Sequence, residues 1–195
     1  MSYAALYEYC QDLPVPVSRS KIIPKVVELA RRPRRPLVLL RTMDPATIAG
    51  FIVFPGEDAD PAHPFVRWGR GEPVICVARS LNYCWQRFVV IKELMHYFDP
   101  PLEKVNTPED FGALLTEFAA PQPDRSLAMN SEVSALWMAL GIMCPEIRRQ
   151  SLERRRAKGE LTDLDIAQEL KMPAAYVPLL FTAQYKHNIG RLCAG

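Results

Sequence analysis

Positions 92, 93 and 96 are Lys, Glu and His within "RFVVIKELMHYFDP", residues 87–100. On a helix, residues four apart share a face, so Lys92 and His96 project together, and Asp99 follows three residues later. A His-Glu-x-x-His stretch in this register holds zinc between two imidazoles, with the Glu activating a zinc-bound water for hydrolysis. Glu93 and His96 keep two of those three positions, whereas Lys92 stands where the first imidazole would be. To offer a lone pair a lysine must lose its proton, which from a pKa of about 10.4 costs roughly 4 to 5 kcal/mol at pH 7. Normal zinc binding through position 92 is therefore not expected. Taken alone the motif reads as a satisfied polar cluster on a buried helix; if it derives from a zinc site, Lys92 is the vacated ligand position, its buried ammonium needing an acidic partner.

The helix that must position these residues is bounded by its own sequence. "LNYCWQRFVVIKELMHYF", residues 81–98, is apolar nearly all round, follows Ser80 and Asn82, and is stopped by "DPP". This pattern predicts a buried central helix. Before it, three runs rich in Val and Ile predict strands: "PLVLLRT" (36–42), "IAGFIVFP" (48–55) and "PVICVAR" (73–79). Bounded by Pro and Gly, they make a small mixed or antiparallel sheet. Upstream, "VSRSKIIPKVVELARR" has apolar residues near helical spacing, a Ser cap, and Pro24 tolerable in the first turn.

Downstream, "TPEDFGALLTEFAA" offers Thr107 as N-cap, with Pro108, Glu109 and Asp110 suited to the first turn. "NSEVSALWMALGIMCP" is a further apolar helix closed by Pro145. "EIRRQSLERRRAKG", "LTDLDIAQELKM" and "PAAYVPLLFTAQYK" complete the chain, the last two as a helix-turn-helix-like pair. Helix, small sheet, then helices is an α+β order with a mostly helical C-terminal half. The division expected is a domain over 1–145 and a helical extension over 146–195 packed on it.

With 195 residues the chain is long enough for a hydrophobic core, and 49% apolar against 24% charged residues is a globular rather than a disordered balance. A formal net charge of +2 gives no general argument for nucleic acid. Two basic runs, Arg31 to Arg35 and Arg148 to Lys158, are read first as solvated helix faces, with docking of an acidic partner as the alternative for the second. Five scattered cysteines without a C-x-x-C pair predict buried free thiols. No apolar run reaches the ~18 residues of a membrane span, and "MSYAALYEYC" lacks the pattern of an export signal, so a cytoplasmic location without membrane contact is expected. Ser-His-Asp order, a phosphate loop and an EF-hand are absent from the sequence.

The stretch "PVICVARSLNYCWQRFVVIKELMHYF" resembles the ImmA/IrrE-type family of metallopeptidase domains. In that family a strand and short turn lead into the zinc helix. Here Arg87 and Phe88 open the helix, and Glu93 and His96 are in register. "IAGFIVFP" is similar to the family's Gly-containing strand, and "SEVSALWMALGIMCPEI" to the helix that carries an acidic third ligand. The resemblance runs from about Ile22 to Leu180, and its central segment is the specific part. It implies a sheet beside a zincin-like helix, a third-ligand role for Glu132 with Asp99 as the competing candidate, and a general-base role for Glu93 in an active form. It also implies kinship with proteins that cleave or counteract repressor-type DNA-binding proteins in stress responses, mobile elements and phages. Lys92 departs from the family pattern at a metal ligand, and Met95 departs where relatives favour Gly, which would crowd the cleft.

Three functions follow. In the first, the fold is kept and the metal lost: Lys92 pairs with Glu132, Asp99 or Glu93, no cofactor is bound, and the protein acts by binding a protein partner such as a repressor or other regulator. In the second, zinc is retained at an altered site by His96 and Glu132, with Asp99 or His63 assisting and Glu93 as base; His187 is a weaker candidate. In the third, the resemblance is fortuitous in a DNA-associated or structural helical protein.

Overall fold

The computed structural model describes residues 3–31, 34–54, 71–100, 112–113, 116–117 and 126–194. Three short strands lie within the three β-like runs: β1 (Leu37–Arg41), β2 (Gly50–Val53) and β3 (Val74–Ala78). Their spatial order is β1-β3-β2, with β1 parallel and β2 antiparallel to β3, so the sheet is mixed. The central strand is buried along its whole length, as expected for a continuous Val/Ile run covered on both faces.

The helix after this strand is α3 (Tyr83–Met95), continued by a 3-10 turn over His96–Phe98. Two helices precede the sheet, α1 (Tyr3–Gln11) and α2 (Arg19–Leu29). Asn82 starts α3 by accepting the Trp85 backbone N–H at 3.1 Å, a cap of about 1 kcal/mol. Phe88, Val89, Val90, Ile91, Leu94 and Met95 are all buried, so α3 presents apolar surface nearly all round. Each such side chain contributes roughly 1.5 to 3 kcal/mol of gross burial energy. The sheet packs tightly on α3 at Gly50: a Cβ there would overlap Val89 Cγ1 and sit 2.7 Å from the Cys76 carbonyl oxygen. Only a residue without a side chain fits that approach.

After α3 the described chain resumes as α4 (Leu127–Met143), which packs along α3, followed by α5 (Glu146–Ala157), α6 (Asp163–Leu170) and α7 (Ala183–Ala194). The α4 and α5 axes are bent by 83° across Cys144 and Pro145. α1, which the sequence patterns did not single out, docks on α4: Tyr3 donates its hydroxyl to the Met138 carbonyl at 3.1 Å, above Gly141. A Thr162–Asp165 capping box starts α6, and Lys171 ends it in the left-handed conformation at φ 52°. The predicted helix-turn-helix-like pair is not formed. "PAAYVPLLF" folds instead as two 3-10 turns, Ala174–Tyr176 and Pro178–Phe181. Pro173 and Pro178 remove backbone donors that a continuous α-helix would need.

The architecture is thus α+β and mostly helical. One hydrophobic core runs from Tyr3 to Ile189 and draws on residues both before and after position 145, including Leu152, Ile166 and Leu180. All five cysteines are free; Cys10, Cys76 and Cys144 are buried. No single helix among the described residues is long and apolar enough to cross a membrane. The helix predicted after Thr107 falls outside the described residues except for 112–113 and 116–117, which are helical, and His63 also falls outside them.

Candidate functional site

Lys92, Glu93 and His96 meet α4 at its second turn, where Ser131 and Glu132 face them. The Lys92 ammonium lies between two carboxylates, 2.9 Å from Glu93 Oε1 and in direct contact with Glu132 Oε2. Little of the cluster reaches solvent: the side chains of Lys92 and Glu132 are each 19% exposed, and that of Glu93 is 3% exposed. Opposite the ammonium, His96 turns Nε2 toward the same two carboxylates, 3.4 Å from Glu132 Oε1 and 3.8 Å from Glu93 Oε2. At those separations the contacts are ionic, and this buried ring nitrogen has no hydrogen-bond partner.

The other ring nitrogen of His96 is fixed from behind. Nδ1 lies 2.6 Å from Asp99 Oδ2 and 3.1 Å from Ser131 Oγ, and Ser131 donates to the same Asp99 oxygen at 2.5 Å. Asp99 is placed there because the 3-10 turn ends at it, with its backbone switching to an extended conformation. A carboxylate on Nδ1 sets the ring orientation and leaves Nε2 to face the pair of glutamates. Asp99 and Glu132 therefore lie on opposite ring nitrogens, and Glu132 is the acidic group on the Nε2 side.

Burial and charge compete at each group. For Lys92, burial works against the ammonium, but Glu93 and Glu132 outweigh it and hold its pKa above the ordinary lysine value. For His96, burial again opposes charging, while Asp99, Glu132 and Glu93 prevail and push it up to about 10. Burial raises Glu93 above the usual carboxylate range, with Lys92 pulling the other way. Glu132 is held well below that range by Lys92 and His96 despite its burial. The result is a closed ionic cluster in which two cations, Lys92 and His96, are shared among the carboxyl groups of Glu93, Glu132 and Asp99.

These donors do not fit a three-ligand zinc site. His96 Nε2 and Glu132 could each offer a donor, but the third group beside them is an ammonium with a raised pKa, whose deprotonation costs more than for a free lysine. Among the described residues no three His, Cys, Asp or Glu side chains are grouped so that they could hold a metal ion. His187 is exposed on α7, a helix that supplies none of the ion-pair partners of Lys92, Glu93 and His96. Met95 is fully buried within the hydrophobic core.

Sequence reasoning missed Ser131, whose hydroxyl links His96 to Asp99. Its signal was slight: a small polar residue beside Glu132 on the same helix. It also passed over the destination of the second basic run. Arg148 pairs with Glu169, Arg156 with Asp163 at 2.6 Å, and Arg155 and Lys158 with Glu160. Arg149 is 1% exposed, bound to Glu146 and Glu153 and lying 5.6 Å over the Tyr185 ring. These cations are engaged in fastening α5 to its surroundings, which disfavours a backbone-tracking role on nucleic acid. No protein-family model, no curated protein and no solved structure matches this chain.

Proposed function

We propose that this chain is a metallopeptidase-fold protein of ImmA/IrrE type in which the Lys92 ammonium takes the place of the catalytic cation, and that it acts by binding a protein partner. The partner class that the resemblance suggests is a repressor-type transcription factor or a related regulator. The observation carrying this reading is the ammonium of Lys92 seated between Glu93 and Glu132, with His96 Nε2 facing the same carboxylates. A zinc helix and a third-ligand helix with one ligand exchanged for a cation would leave such a contact, which supports the reading. Glu93 is then an ion-pair partner, because a carboxylate engaged by a fixed ammonium has no metal-bound water to activate.

A second reading has one observation in its favour. The unpartnered Nε2 of His96, beside Glu132, supplies two of the donors that a peptidase with an altered zinc site would use, with Glu93 as general base. Thermal melting with and without zinc separates the two. Under the first reading the wild-type midpoint does not move with zinc, whereas Lys92→His gains zinc-dependent stability, since a ligand that binds only the folded state stabilises it by mass action. A zinc-dependent wild type selects the second reading. A Lys92→His protein that folds but ignores zinc removes the inherited-site argument.

A further inference from the structure

At the N-terminal end of α3, Arg87 is 2% exposed, and its guanidinium donates only to backbone carbonyls: Leu170 and Lys171, each at 2.9 Å, and Val17. It thereby joins three stretches that are distant in sequence, residues 17–21, 79–87 and 170–176, and none of the three contains an Asp or Glu. They do contain Arg19, Lys21, Arg79 and Lys171. Among the described residues none of these four, nor Arg87, is ion-paired with a carboxylate, in contrast to the paired cations of α5. The influence of Arg19 on Arg87, which lowers the pKa of the buried guanidinium after burial itself, places the two charges near each other. The positive end of α3 adds to the same field.

Tyr83, 59% exposed on the first turn of α3, also lies close enough to Arg87 to act on its charge. The neighbouring rings are already engaged: Trp85 meets Tyr176 edge-on at 5.3 Å, and Tyr176 lies against Phe88 at 4.7 Å. We infer that this basic surface, centred on Tyr83, docks an acidic segment of a partner protein. Its unpaired cations supply charge complementarity, and Tyr83 gives an amphipathic anchor of the kind enriched at interfaces. Single-stranded nucleic acid fits less well, because Trp85 and Tyr176 are packed edge-on against each other and Tyr176 lies against Phe88, so no row of open rings is left for successive bases. The surface adds to the partner-binding reading and does not depend on Lys92, so zinc in the wild-type protein would leave it standing.

Fluorescence anisotropy of a labelled oligoglutamate peptide, titrated with the full chain at low and high salt, tests the inference. Binding that weakens with salt is expected. The double variant Arg19→Glu, Lys171→Asn should lose roughly tenfold or more in affinity, since it removes two cations and adds an anion. Asn tolerates the left-handed conformation at position 171, and Arg87 uses backbone carbonyls, so the clamp survives the change. Arg79→Glu, on a different stretch, gives the same readout should the double variant fail to fold. Undiminished binding by the folded variants, or no binding of the peptide at low salt, overturns the proposal. Tighter binding of an oligothymidylate of equal charge overturns it in favour of nucleic acid.

Discussion

Replacing Lys92 by Met removes the cation and leaves Glu93 and Glu132 facing each other inside the protein. The gross attraction lost can be worked from the geometry: at 2.9 Å and an effective dielectric of about 20, the Lys92–Glu93 pair alone is worth about 6 kcal/mol. Desolvation of the three groups offsets much of this, and removing one partner of a buried pair costs about 3 to 5 kcal/mol. Lys92→Met should therefore lower the unfolding free energy by that amount at pH 7, a large share of the 5 to 15 kcal/mol typical of a domain. The deficit must also depend on pH. A carboxyl whose folded pKa is raised, as Glu93 is already, contributes stability that is present below the ordinary carboxylate range and lost as pH rises through the folded value. In the variant, protonation of Glu93 relieves the repulsion at low pH, so the gap from wild type narrows toward pH 4 and widens toward pH 7. Urea denaturation across that range measures both quantities. A folded Lys92→Met protein within about 1 kcal/mol of wild type at pH 7, with no pH-dependent gap, would show that the ammonium is not the counter-ion of this cluster.

Three further outcomes are expected. Because His96 is pushed up to about 10, its charged form contributes stability that is complete below about pH 6.5 and lost as pH rises toward 10; chemical denaturation at pH 7 and pH 10 should show this loss, and His96→Gln should flatten it. Gly50→Ala should destabilise by about 2 kcal/mol or more, since the new Cβ would overlap Val89 and crowd the Cys76 carbonyl. Gly190→Ala, on α7 with nothing within 4 Å of the new Cβ, should instead stabilise by about 0.5 to 1 kcal/mol, read in the same melting experiment.

Much of the frame was legible because it rests on local chemistry. The strands fall where Val and Ile run between Pro and Gly, and α3 starts directly after its cap Asn82, its 3-10 continuation stopping at Phe98 before Asp99 and the following Pro residues. The triple Lys92, Glu93 and His96 was legible from helical spacing alone. Glu132 was different: no spacing rule joins positions 93 and 132, and only the family resemblance pointed to it. Asp99 was legible as a neighbour of His96, but which ring nitrogen it meets depends on the 3-10 turn that rotates His96 against it. Ser131 carried too little chemical signal to stand out. Pairing of the second basic run was hidden because its partners Glu160, Asp163 and Glu169 lie across a turn. The C-terminal 3-10 turns were misread as a helix because their apolar spacing is helical, and the two prolines prevail over it.

The central claim is that a protonated lysine holds the cation position, and elemental analysis of the wild-type protein is its most direct test. The protein is expressed in zinc-supplemented medium, freed of any affinity tag, dialysed without chelator and assayed for metal per chain. Zinc far below one equivalent is predicted, because uptake would require Lys92 to surrender a proton that Glu93 and Glu132 hold in place. Near-stoichiometric zinc that is lost in the Glu132→Gln variant would contradict the account and make the cluster a working metal site.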